Sequence, residues 1–293
     1  MKQLISISLA VIVIVFGKWV IVAQETGKWK GEYWTERAET IQLSFNKKAE
    51  KRSQMGTSFK IAELQGVTVA DLTGSNTPVR FSIVRDAGTI ACEGTFNDRK
   101  GSGDYRFTTD PGFLSAMKSR GFDFEKSDMR EGGSTLTDRL FSAALLNVTV
   151  ALADDLLSSD FGKLDVEDLF KAAIFKIDGK FARDMKATGF RNLTFDDLVQ
   201  ARIFKIDAEF VREVAQMGFA DLPFESLVKM RIFKISPEYM AEMKAEGLTD
   251  LDIEDLVKLR IFNIDAAFIR KAKSEGVPLD VEKLVQKKLG VYR

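Results

Sequence analysis

A four-residue motif returns at a fixed spacing of 29 residues in the second half of the chain. Its copies are Ile174-Phe175-Lys176-Ile177, Ile203-Phe204-Lys205-Ile206, Ile232-Phe233-Lys234-Ile235 and Ile261-Phe262-Asn263-Ile264. A fixed period of about 20–50 residues is typical of supersecondary units that stack on one another. Stacked units usually form extended binding surfaces. The period therefore constrains the fold strongly and the identity of a binding partner only weakly.

Each copy of the period predicts two short helices. The first helices begin near Asp165, Thr194, Pro223 and Asp252, and the second begin after Asp178, Asp207, Ser236 and Asp265. Ser, Thr and Asp side chains accept hydrogen bonds from the free amides of a first helical turn. Each second helix ends at a glycine, which adopts the left-handed terminal conformation easily. These glycines are Gly189, Gly218, Gly247 and Gly276. Because so short a helix pair cannot bury its apolar face alone, we expect a stack with most of the motif in its core.

A weaker form of the pattern extends back to about Pro111, with a loop insertion near 125–134. Residues 27–110 instead contain short strand-like runs at 28–34, 40–45, 58–64, 78–85, 89–96 and 104–108. Such runs predict an antiparallel meander, either a curled sheet or a small barrel. The predicted fold is therefore α+β, with a β domain at 24–110 and a helical array, an α-solenoid, at 111–293.

Three aromatic residues at the start of the β domain allow two interpretations. Trp29, Tyr33 and Trp34 could line a ligand mouth, or they could close the sheet and dock against the helices.

The first 23 residues read as a secretory signal peptide. Lys2 precedes an uncharged, mostly apolar run from Leu4 to Phe16, and cleavage after Ala23 leaves a small residue at the last position. The run is short for a spanning helix, which needs roughly twenty apolar residues, so a retained membrane anchor is the alternative. The chain has one Cys, and export without disulfides fits a bacterial envelope.

Composition excludes several kinds of chemistry. The sequence has no His, which excludes His-based triads and zinc sites with His ligands. Cys92 has no His to activate it, and we predict no cofactor or metal. Cleavage at 23 would remove two lysines and no acid, so 43 basic and 43 acidic residues become 41 and 43. Nucleic acid is therefore not an expected partner, whereas a hydrolase that uses carboxylates stays an alternative.

Basic residues also follow the period. One set is Lys176, Lys205 and Lys234, and the other is Arg202, Arg231 and Arg260. In a stack, each set would form a row that could receive an acidic partner. The structural alternative is that these cations cap the negative ends of the first helices or pair with neighbouring acids.

The segment from Gly189 to Ile203 resembles the periplasmic helical-pair repeats of some bacterial antibiotic-sensing membrane metallopeptidase regulators. The strand-rich region, including Ser58–Leu64 and Val79–Ser82, is similar to the small domain that accompanies those repeats. This chain has no peptidase motif, no His and no multi-span membrane region, so proteolytic activity does not carry over. The resemblance implies an interaction or sensing module of the cell envelope.

We therefore expect a non-catalytic, exported protein that is periplasmic or secreted and binds a protein or peptide through its helical surface. The alternative is a β domain that binds a small ligand, with the helices as a docking or dimerisation arm. The sequence does not indicate an oligomeric state.

Overall fold

A computed structural model describes residues 11–15, 18–22, 24–37, 39–47, 54–126, 135–190, 192–219 and 222–292. The predicted α+β class is confirmed: a seven-stranded antiparallel sheet, curled as a half-barrel, is followed by helices. The described residues form two compact units that divide between Ile174 and Phe175. The first unit thus contains helices that the sequence assigned to the array beginning at 111.

Two short strands lie within the predicted signal segment. They are β1 (Val11–Val15) and β2 (Lys18–Val22), and they pair antiparallel. The other strands are β3 (Gln24–Tyr33), β4 (Thr40–Lys47), β5 (Gln54–Lys60), β6 (Leu64–Gln65), β7 (Thr77–Arg85), β8 (Gly88–Asn97) and β9 (Lys100–Thr109). The predicted strand at 58–64 is wrong in part, because a 3-10 turn at Ile61–Glu63 separates β5 from β6.

The strand order of the sheet is β5-β4-β3-β9-β8-β7-β6. Two antiparallel ladders, β3-β4-β5 and β7-β8-β9, therefore meet where β3 pairs with β9. This order differs from a simple meander, in which every strand pairs with the next one along the chain. The sheet ends at β5 on one side and at β6 on the other.

Alternating apolar side chains build the core of the first unit. Its helices are α1 (Val69–Thr73), α2 (Pro111–Ser119), α3 (Leu136–Leu145) and α4 (Val150–Leu157), and α5 (Val166–Phe175) ends at the division. α3 packs on β8 and β9 through Phe141. The Phe141 ring stacks on Tyr105 at 5.3 Å and meets Phe45 edge-on at 5.7 Å.

The predicted insertion near 125–134 lies largely outside the described residues.

The second unit consists of short helices joined by tight turns. They are α6 (Gly179–Lys186), α7 (Phe195–Phe204), α8 (Ala208–Gln216), α9 (Phe224–Ile232), α10 (Pro237–Ala245), α11 (Ile253–Ile261), α12 (Ala266–Ser274) and α13 (Val281–Lys288). The predicted caps are confirmed at Thr194, Asp207, Ser236 and Asp265, whose side chains accept amide hydrogen bonds. α9 contacts both α7 and α11, and α11 contacts α13.

The structure corrects the expectation that most of the repeated motif is core. The last Ile of each copy is buried, as in Ile206 and Ile235. The first Ile is instead about half exposed, with values of 53% for Ile174, 52% for Ile203, 51% for Ile232 and 52% for Ile261. These side chains point away from the packed face because they fall about 140° around the helix from the buried Leu five residues earlier.

Candidate functional site

Exposed isoleucines and lysines recur at equivalent positions of the second unit. We call this set of residues the Ile–Lys stripe and define it by Ile203, Ile232 and Ile261 with Lys176, Lys205 and Lys234. Each Ile occupies the end of one of the successively packed helices α7, α9 and α11. The lysines are exposed and form no ion pair within the described part of the chain. Apolar contact area and free positive charge therefore lie side by side.

The three lysines of the stripe have a left-handed backbone. Their φ angles are 56° at Lys176, 55° at Lys205 and 52° at Lys234, and Asn263 occupies the equivalent turn with φ 49°. This conformation brings the Cβ of an L-residue close to the following carbonyl oxygen, so glycine is favoured there. Lysine is thus present at three turns where the backbone alone would favour glycine.

The arginine row occupies a different environment from the lysine row. The guanidinium carbons of Arg202, Arg231 and Arg260 lie over aromatic rings of the preceding helices, at 3.7, 3.6 and 3.5 Å from the ring centroids. The rings belong to Phe181, Phe210 and Tyr239. Arg260 also donates from Nη2 to the backbone carbonyl of Lys234 at 2.9 Å, at the C-terminal end of α9. These arginines join neighbouring helices, and the accessible part of the basic rows consists of the lysines together with Arg231, which is also exposed.

Tyr239, the aromatic partner of Arg260, is buried. Burial raises the pKa of Tyr239 to about 12, so at neutral pH the ring faces the guanidinium as a neutral phenol.

The aromatic residues of the possible ligand mouth lie mainly in the core. Trp29 is completely buried and its indole Nε1 donates to the carbonyl of Glu93 at 3.1 Å. Its ring lies 5.3 Å from the ring of Phe81. Tyr33 is also buried, and Trp34 is partly exposed. Trp29 therefore packs inside the core of the first unit and offers no surface to a ligand from solvent. An open polar groove of about 590 Å³ lies elsewhere on the sheet, beside Lys30, Gln42 and Lys100.

A half-buried ionic cluster joins the sheet to α3 and was not found from the sequence. Lys47 contacts both the carboxylate of Asp138 and that of Glu25, the latter at 3.6 Å between Nζ and Oε2. Tyr105 donates its hydroxyl to Glu25 Oε1 at 2.8 Å. The four residues are up to 113 positions apart in the chain, between Glu25 and Asp138, so no local pattern signals the cluster.

The two carboxyls of the cluster titrate in opposite directions. Burial raises the pKa of Glu25 above its ordinary value, although Tyr105 and Lys47 act against this. Burial also disfavours ionised Asp138, but the hydrogen bond from Lys47 and the amide of Thr135 hold its pKa below the ordinary value. The cluster is therefore built around the Lys47–Asp138 pair, and Glu25 is its less favourable charge.

Three other features of the described residues concern metal binding, the single cysteine and membrane-spanning helices. Among the described residues, no three His, Cys, Asp or Glu side chains come together as a group that could hold a metal ion. Burial raises the pKa of Cys92, whose side chain is completely buried. No single helix of the described chain is long and apolar enough to span a membrane, although α3 and α4 together, bent by 84°, pass by length and composition.

Comparisons with known proteins do not place the chain in a family. No family model matches it. Neither the curated proteins nor the solved structures contain a match.

The lysines of the stripe were recognisable from the sequence as candidate binding residues, whereas its isoleucines were assigned to the core. The helical period of the sequence indicates the exposure of these isoleucines. Leu198 and Ala201 mark the buried face of α7, and Ile203 lies on the opposite side of the helix at 3.6 residues per turn. The same spacing relates Leu227 to Ile232 and Leu256 to Ile261.

Replacing a stripe lysine by glycine should stabilise the protein. We expect Lys205→Gly and Lys234→Gly each to raise the free energy of unfolding by about 1 kcal/mol, because the left-handed backbone then costs less. Urea unfolding of the full chain measures this. Lys271→Gly, at an exposed position inside α12, is the matched control and should lower the free energy of unfolding by about 1 kcal/mol. A loss of stability at position 205 or 234 would contradict the argument.

Neutralising Glu25 should stabilise the protein at neutral pH. A folded-state pKa above the ordinary 4.5 means that the wild type loses stability as pH rises through the interval between the two values. Glu25→Gln removes that loss, so it should match the wild type at about pH 4 and exceed it at about pH 7 in urea unfolding. Asp104→Asn, in an exposed pair with Lys28, should change little at either pH. Equal stability of Glu25→Gln and the wild type at both pH values would show that the carboxylate is adequately solvated.

Proposed function

We propose that this chain is a non-catalytic binding or sensing module that engages a protein or peptide partner through the Ile–Lys stripe. The single observation that carries the proposal is the stripe itself, in which three half-exposed isoleucines lie on successively packed helices beside unpaired lysines. Large apolar side chains on a surface normally scatter singly, and aligned exposed ones mark interaction sites. The neighbouring cations add selectivity for the charge of the partner.

Two further observations support the choice of the stripe over other surfaces. The arginines near it are stacked on aromatic rings of the preceding helices, so they link the helices that carry the stripe. A surface whose helices are held together in advance loses less conformational entropy when it binds. The three lysines adopt a left-handed backbone conformation that is unfavourable for residues other than glycine. Residues held in such conformations concentrate at functional sites.

The cellular site that we propose is the bacterial envelope. It rests on the signal-like segment 1–23 and on the resemblance to periplasmic repeats of antibiotic-sensing regulators. In this proposal the segment directs export, and the stripe meets its partner outside the cytoplasm.

Crosslinking at single positions tests the binding surface. A photoreactive phenylalanine analogue at Ile203 or Ile232 should form a covalent adduct with one partner when the full chain is expressed in its source cells. The same analogue at Glu242, exposed on α10 outside the stripe, is the matched control. Adducts should also disappear from the Ile232 position when Lys205 and Lys234 are both changed to Glu. Equal adducts at position 242, or none at the stripe, would refute the proposed surface.

Export is tested separately by the N-terminus of the protein recovered from cells. Cleavage predicts an envelope-fraction protein that begins at Gln24. Val13→Asp places a charge in the apolar run and should leave the full-length chain in the cytoplasm, whereas Val84→Asp, on the exposed side of β7, should not. An intact chain that sediments with membranes would support the anchored alternative, and an intact wild-type chain in the cytoplasm would overturn the envelope proposal.

A further inference from the structure

We propose that the partner segment is an acidic amphipathic α-helix that lies across α7, α9 and α11 with an apolar side chain every seven residues. This inference rests on the proposed function of the Ile–Lys stripe and adds the shape and charge of what binds there.

The spacing of the isoleucines favours a helical partner over an extended strand. Packed helices lie about 8–10 Å apart, so equivalent residues on α7, α9 and α11 should recur at about that distance. A helix crossing them presents residues i and i+7 on one side about 10.5 Å apart. An extended strand presents same-face residues at about 6.6 or 13 Å, which matches less well.

The stripe offers side chains rather than backbone groups. A strand that binds by edge addition needs an unpaired row of backbone donors and acceptors. Within the described second unit, the backbone around the stripe is helical, and the turn residue Ile206 donates its amide to the carbonyl of Ala201. A partner helix satisfies its own backbone and needs only apolar and charged contacts. A polyproline helix, with a repeat of about 9.3 Å, is the competing shape and is decided by the test.

Charge specifies the partner further. Lys176, Lys205 and Lys234 are free to pair, whereas the fourth equivalent position is Asn263. The partner should therefore carry acids opposite the first three turns and a neutral residue at the fourth. This polarity gives the bound helix one preferred direction along the stripe.

A membrane surface fits the stripe less well than a helix does. Exposed carboxylates of Asp178 and Asp207 follow the lysines two residues later, where they cap α6 and α8. At these two turns a planar anionic bilayer would meet the acids together with the lysines, whereas the turn of Lys234 has Ser236 in place of the acid. A helix can place its own acids at the lysines alone.

Synthetic peptides test the proposal on the full-length protein. The probe is a labelled helix of about three heptads, with Leu every seventh residue and Glu beside each Leu. Its register control has the same composition and Leu every fifth residue. Anisotropy titration should show binding of the heptad peptide that is at least about tenfold tighter than that of the control, and weaker at high salt. Equal binding of the two peptides, or no binding of the heptad peptide, overturns the proposal.

Variants of the protein separate function from stability. The double variant Lys205→Gly and Lys234→Gly should bind the heptad peptide about tenfold more weakly while unfolding at a higher urea concentration. Ile232→Ser should also weaken binding. Lys244→Gln with Lys271→Gln, exposed lysines outside the stripe, is the charge-matched control and should bind like the wild type. Unchanged binding by the glycine variant would remove the lysines from the proposal.

Two further probes decide between shapes and partners. A proline-rich peptide with Leu every third residue and matched Glu content tests the polyproline alternative, and vesicles with about 30% anionic lipid test a bilayer. Tighter, Ile232-dependent binding to either probe overturns the helix proposal. If crosslinks at Ile232 persist while the heptad peptide shows no preference over its control, only the helical shape fails. If those crosslinks are absent, the proposed function itself fails.

Discussion

The second unit depends on the stacking of a cation from each first helix on an aromatic ring of the helix before it. The pairs are Arg202 on Phe181, Arg231 on Phe210, Arg260 on Tyr239 and Lys288 on Phe268. A cation over a ring contributes about 0.5–1 kcal/mol where the cation is exposed, as Arg231 and Lys288 are, and about 2 kcal/mol where it is desolvated. Arg260 and Lys288 also donate to the carbonyls of Lys234 and Asn263, at 2.9 and 3.0 Å. Arg260 and Lys288 therefore link neighbouring helices by both packing and hydrogen bonding, whereas Arg202 and Arg231 do so through their stacking on the rings.

This linkage separates two sets of basic residues that look alike in the sequence. A guanidinium is planar and weakly hydrated, so it stacks on a ring at low desolvation cost, whereas an ammonium is compact and strongly hydrated. The arginines accordingly lie against Phe and Tyr, and the lysines extend from turns into solvent. An acidic partner can approach Lys205 without disturbing the packing, but it could pair fully with Arg202 only by competing with Phe181.

The sequence predicted the features that depend on residues close together in the chain, and it missed those that join distant residues. The caps at Thr194 and Asp207 depend on residues three positions apart, so the sequence sufficed to place them. The pairing of β3 with β9 and the contact of Lys47 with Asp138 join distant residues, and no local pattern records them. The stripe was half predicted: its lysines were found by their spacing, whereas Ile232 was assigned to the core from its hydrophobicity alone.

The second unit contains two kinds of turn with different positive φ angles. Both turns need a positive φ, and the turn after each second helix has glycine every time, as at Gly218 with φ 99°. The turns after α7 and α9 have φ of 55° at Lys205 and 52° at Lys234 and carry a side chain at an energetic cost, whereas the turn after α13 has glycine at Gly290. The φ angle of Gly218 lies well beyond the left-handed region of L-residues, which is centred near about +57°, whereas those of Lys205 and Lys234 fall inside it. Glycine is therefore needed at the first kind of turn, while the second kind tolerates a lysine, two residues after an exposed isoleucine, at a modest cost relative to glycine.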